Sequence, residues 1–111
     1  MNDLDRYQLQ ASRTHNFELD RRERFTMLSM GIAGEGGELV DHIKKHVFHG
    51  HELDLLKVKQ EIGDLLWYVA VLSQECGFTL AEVADLNIEK LRKRYPEGFS
   101  VEASVNRKGD E

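Results

Sequence analysis

The chain is poor in the residues that punctuate or cross-link a fold. One proline and nine glycines in 111 residues are too few for a β-sandwich or a low-complexity disordered chain, and the balance favours helices. The single cysteine, Cys76, has no partner for a disulfide or for a cysteine-type zinc site. Its apolar surroundings predict a buried structural thiol. No apolar run reaches membrane length, and MNDLDRYQLQ lacks the apolar core of a signal peptide, so a soluble, cytoplasmic protein with no membrane partner is expected. An excess of basic charge is also missing: 15 Lys and Arg against 20 Asp and Glu leave a net charge of −5. A phosphate backbone needs a basic footprint, so a polynucleotide is not an expected partner. A small anion remains compatible, because a cation can bridge two anions.

Charge itself is plentiful, at 32% of residues, beside an ordinary 41% of apolar ones. The most informative charges lie between Gly34 and Asp64. Glu35 and Glu38 stand in GEGGE, and Glu61 and Asp64 in EIGD. An i, i+3 spacing on a helix puts both carboxylates on one face. Two such helices packed antiparallel point four carboxylates at one place. Protonation, basic partners or a bound cation must then offset the repulsion. All-oxygen ligation suits Mg²⁺, or Mn²⁺ in its place. A di-iron bundle needs Glu-x-x-His on two helices, and no glutamate here has a histidine three residues later.

Apolar periodicity predicts an all-α chain with four helices, of which the two central ones are antiparallel. The first covers Met1 to His15, followed by a polar connection over 14–24. Its arginines Arg21, Arg22 and Arg24 read as a solvated surface, with phosphate contact as the alternative. The second helix covers Arg24 to Phe48, with Phe25, Leu28, Ile32, Leu39, Ile43 and Val47 as one buried stripe. Gly31, Gly34, Gly36 and Gly37 interrupt it at about 1 kcal/mol each, which points to close approach of a backbone or a ligand. Gly50 reads as its cap. His42, His46, His49 and His51 crowd here and read as helix-end or solvated histidines, with a metal site as the alternative.

The third helix runs from Asp54 to Cys76. Its LLWYVAVL half is apolar almost all round, so a chain this small is expected to cover it with another subunit. Gly77 ends it. Thr79 and Glu82 form a capping box for the fourth helix, which Pro96 stops. From about residue 97 the chain is a polar tail without periodicity. The chain shows no internal boundary and is read as one domain over 1–111.

A carboxylate-held Mg²⁺ keeps positions for water and substrate phosphates, so phosphoanhydride hydrolysis is the chemistry such a site allows. Lys44, Lys45, Lys57, Lys90 and Arg94 are basic groups available to phosphates. Here the chain resembles a known family. GIAGEGGELVDHIKKHVFHG, QEIGDLLWYVAVL and LNIEKLRKRYPEGF, in that order, are similar to the MazG-type nucleotide pyrophosphohydrolases of the all-α NTP pyrophosphatase superfamily. The resemblance covers about residues 7–99. It implies a homodimer or homotetramer that hydrolyses nucleoside triphosphates, often deoxy or non-standard ones, to the monophosphate and pyrophosphate with Mg²⁺. It implies that Glu35, Glu38, Glu61 and Asp64 hold metal, with Glu35 and Glu38 as candidates to activate water. It also implies that Tyr68, Asn87, Lys90 and Arg94 approach substrate. Trp67 reads as core or interface packing, with base stacking as the alternative. The chain departs from many members at Gly34, where they carry another glutamate. That departure supports a rival reading, a non-catalytic helical oligomer that binds a nucleotide or a protein partner; a purely structural dimer is the third.

Overall fold

A computed structural model describes residues 1–107. It contains α1 (Asp3–Ser12), α2 (Arg21–His49), α3 (Leu55–Cys76), α4 (Leu80–Arg94) and α5 (Val101–Asn106). The all-α class, the four expected helices and the antiparallel central pair are as the periodicity predicts. The fifth helix is an addition. It lies within the expected tail, starts at Ser100, whose side chain accepts from the Ala103 N–H, and packs on α4.

Local chemistry sets the ends. Asn2 caps α1 by accepting from the Asp5 N–H at 2.9 Å. A reciprocal capping box, Asp20 with Glu23, starts α2 three residues earlier than the apolar stripe suggests. Gly50 and Gly77 take left-handed φ of 73° and 88° after α2 and α3, a conformation that costs glycine little. Asp54 caps α3, and the Thr79–Glu82 capping box starts α4.

α2 and α3 form the central hairpin, and α1 lies across α3 and the start of α4. Buried Gln8 locks this arrangement. Its Nε2 donates to the carbonyls of Ala70 and Phe78, and its Oε1 accepts from the Leu80 N–H, all at 3.1 Å. Trp67 Nε1 donates to the Ala11 carbonyl and to Thr14 Oγ1, so this ring joins α3 to the end of α1. Ala11, Leu28, Ala70, Val71 and Leu80 make the core, with Tyr7, Met27, Trp67, Tyr68, Val69 and Leu72 packed around it. Beside it, His15 and Arg24 both bond Glu75. Arg24 Nη1 also donates to the Leu19 carbonyl at 2.6 Å. This arginine is therefore structural and not part of a solvated basic face.

The core occupies one end of the hairpin only. The stripe expected to be buried along all of α2 is covered near Leu28, but its members Ile43 and Val47 are exposed, as are Val40 and Phe48 beside them and Leu55 and Leu56 at the start of α3. The radius of gyration is 17.0 Å, against about 13 Å for a compact chain of this length. The accessible surface is 8332 Å², roughly 2000 Å² more than a folded monomer of this mass exposes. Cys76 is exposed rather than buried, because the last turn of α3 runs past the part of the core that covers Val71 and Ser73. No helix among the described residues is long and apolar enough to cross a membrane.

Candidate active site

Three zones succeed one another along the hairpin: the core, then the carboxylates, then an open groove. Both acidic pairs fall in the middle zone, about two turns from the buried core residues Leu28 of α2 and Ala70 of α3. Antiparallel packing brings the pairs into each other's field. Glu35 shows this directly. Partial burial pushes its carboxyl above the usual range, and the charges of Glu38, Asp64 and Glu61 push it further, with a Glu38 hydrogen bond that favours the protonated form. Two carboxylates can share a hydrogen bond only if a proton sits between them.

Glu61 is buried at 7% exposure. Its Oε2 and that of Glu35 are both inaccessible and have no hydrogen-bond partner among the described residues. Lys44 and Lys45 do not neutralise this cluster; they pair with Asp41 at 3.4 and 2.9 Å. Those hydrogen bonds, Lys45 foremost, hold Asp41 below its ordinary range. The donor set therefore fits a hard divalent ion in chemistry: oxygen only, negatively charged, with buried oxygens that lack a positive partner. Among the described residues, no three Asp, Glu, His or Cys side chains converge closely enough to ligate one ion.

Tyr68 lies one turn beyond Asp64, and its ring rests on α2 where Gly31 leaves room; a Cβ at Gly31 would overlap that ring. This explains one of the four glycines of α2. The Cβ positions of Gly34, Gly36 and Gly37 meet nothing within 4 Å, so packing within the chain does not require them. The Tyr68 ring meets Trp67 edge-on, with centroids 5.0 Å apart.

Asn87, Lys90 and Arg94 sit on α4, whose main packing is against α1 and α5. The fold of the chain thus presents the carboxylates on the α2–α3 hairpin and the expected substrate-binding residues on α4. The histidines do not gather: His46 Nδ1 bonds the His51 carbonyl at 2.8 Å, and no histidine metal cluster forms among the described residues. Tyr7 is a neighbour that sequence reasoning missed. Burial raises its phenol, and the charge of Asp64 raises it further. Nothing in the spacing of two residues so far apart signals this.

Comparison with known proteins places these observations. Residues 23–99 match the family model described as the MazG nucleotide pyrophosphohydrolase domain. That span contains all four carboxylates as well as Tyr68, Asn87, Lys90 and Arg94. The chain is also similar to the Gene 37 protein of Mycobacterium phage L5, 32% identical over 114 residues, covering 94% of this chain and 98% of that protein. No solved structure matches.

Proposed function

The chain belongs to the MazG nucleotide pyrophosphohydrolase domain family, and from that premise we propose that it hydrolyses nucleoside triphosphates to the monophosphate and pyrophosphate. The proposed substrates are deoxy or non-standard nucleotides, in a housecleaning role. The observation that carries the reading is the shared field of Glu35, Glu38, Glu61 and Asp64, with two buried oxygens lacking partners. These four residues would hold Mg²⁺. Bound there, the ion would offset charge on the phosphoryl oxygens and lower the pKa of a water.

The chain's own residues supply the rest. Glu35 is the proposed base, since a carboxyl held above its ordinary range takes up a proton more readily. Water adds to the α-phosphorus, its proton passes to a carboxylate of the Glu35–Glu38 pair, and pyrophosphate leaves with the electrons of the broken P–O bond. Tyr68 borders the site on the core side. Asn87, Lys90 and Arg94 would meet substrate if a second copy brought its α4 to the hairpin. A homodimer or homotetramer accounts for the excess of about 2000 Å² of surface, the scale on which obligate interfaces bury area.

The test is pyrophosphate release from a panel of standard and modified NTPs and dNTPs, with Mg²⁺ and with chelator. Metal-dependent release is expected, and Glu38→Gln or Asp64→Asn is expected to abolish it with the helical content and oligomer unchanged. Full activity in both variants would refute the assignment. A second reading, nucleotide sequestration, draws on Gly34 and on the carboxylates not converging to ligating distance. Binding with Mg²⁺ and no product over hours would select it.

A further inference from the structure

The open groove beyond the carboxylates has walls that metal binding does not use. It lies between the last turns of α2 and the first turns of α3 and encloses about 700 Å³, within the range of small-molecule sites. It begins at Glu38 and Glu61, passes over Gly34 and Gly37, and reaches Asp41, His42 and Lys45. We infer that this groove seats the nucleoside end of the substrate and that His42 is a specificity-determining residue that reads the base. The inference rests on the nucleotide-hydrolase reading only for the direction of the substrate, with its phosphates at the carboxylates.

Three observations carry it. The first is His42 itself. Its Nε2 is inaccessible and has no hydrogen-bond partner among the described residues. A buried polar atom without a partner is costly; His42 lines the groove, and a turn of its ring about χ2 would offer that nitrogen to a ligand edge there. The second is charge. Beyond Glu38 and Glu61 the walls carry Asp41, Glu52 and Asp54 against Lys45 and Lys57. Lys45 is already paired with Asp41. These walls have no cationic excess to hold a phosphate chain, whereas an uncharged ring rich in donors and acceptors meets no repulsion. The third is shape. Cβ positions at Gly34 and Gly37 open into free space, which leaves a stretch of bare helix surface along which a planar ring can lie.

The test separates this inference from the hydrolase reading by using a readout without turnover. Side-chain ¹⁵N–¹H NMR signals of His42, assigned by their loss in His42→Gln, are followed in the intact protein. Adenosine, guanosine, cytidine, uridine and thymidine are added separately at millimolar concentration, and Mg²⁺ with inorganic tripolyphosphate in another series. The expected result is a His42 shift with at least one nucleoside and none with tripolyphosphate. The reverse pattern, or no response to any nucleoside, overturns the inference whether or not the protein hydrolyses anything.

Where turnover is measurable, His42→Ala is expected to raise KM for the preferred triphosphate about tenfold and flatten the preference among bases, with kcat little changed. His42→Gln, which keeps a hydrogen-bonding group, should recover part of the preference. A loss of kcat with base preference intact would place His42 at the reacting phosphates and overturn its assigned role.

Discussion

Replacing Glu75 by glutamine removes the negative charge that His15 and Arg24 share. The three side chains are 8%, 1% and 20% exposed, so water can do little for the charges left behind. Removing one partner of a buried pair costs about 3–5 kcal/mol. Two features reduce that here. Arg24 keeps its bond to the Leu19 carbonyl, and glutamine still offers an acceptor. The expected loss is on the order of 2–3 kcal/mol. For a chain of this length that lowers Tm by roughly 10 °C.

The pH dependence has a definite sign. Burial pushes the Glu75 carboxyl up, but hydrogen bonds from Arg24 and His15, with their positive charge, outweigh burial and hold it below the ordinary range. The folded state therefore binds fewer protons at this site than the unfolded chain. Its contribution is complete above the ordinary carboxylate range and is lost as pH falls through the depressed value. The gap in Tm between wild type and Glu75→Gln should thus be largest near neutral pH and close on acidification. Circular dichroism melts at one fixed protein concentration give the measurement, since association of copies raises apparent stability by mass action. A variant that melts within about 2 °C of wild type near neutrality, or a gap that widens in acid, would refute the reasoning.

Other expectations can be checked in the same way. Gly34→Ala and Gly37→Ala should each stabilise the helix by up to about 1 kcal/mol in urea titrations, because the new methyl meets nothing in the subunit. Gly31→Ala should show no such gain, since overpacking against the Tyr68 ring costs about 1–3 kcal/mol. A stabilising Gly31→Ala would mean that the ring moves aside freely. Glu35 titrates high because of burial and its acidic neighbours, so the folded state loses stability as pH rises through that value. The rise in Tm caused by Mg²⁺ should therefore shrink as pH falls and protons compete for Glu35, and a rise that does not change on acidification would count against carboxylate ligation. Thr79→Ala should cost about 1 kcal/mol through loss of the capping box, measured by chemical denaturation.

Much of the fold was legible because its signals are local. Gly50 and Gly77 end α2 and α3 where the apolar pattern stops, and Thr79 with Glu82 starts α4. The Asp20–Glu23 box was equally visible in the letters D-R-R-E, yet the apolar stripe starting at Phe25 suggested a later beginning. The short α5 was not visible, because six residues carry too little periodicity and the helix is held by packing on α4. Exposure of Cys76 was missed because local hydrophobicity does not say which neighbours a side chain meets.

The sequence by itself determined the four longer helices, the antiparallel hairpin and the two acidic pairs, since turn chemistry, apolar period and i, i+3 spacing act over a few residues. Only the tertiary structure decided what crosses from one helix to another. Gln8 closes on Ala70 and Leu80, Arg24 and His15 meet at Glu75, and Tyr68 fills the space over Gly31. It also decided that α4 packs on α1 and α5 rather than on the carboxylate hairpin, and that His42 lines the groove with its Nε2 buried and unpartnered among the described residues. The physical reason is one of range. Such contacts join residues tens of positions apart, and their partners are chosen by how helices pack, which no local pattern encodes.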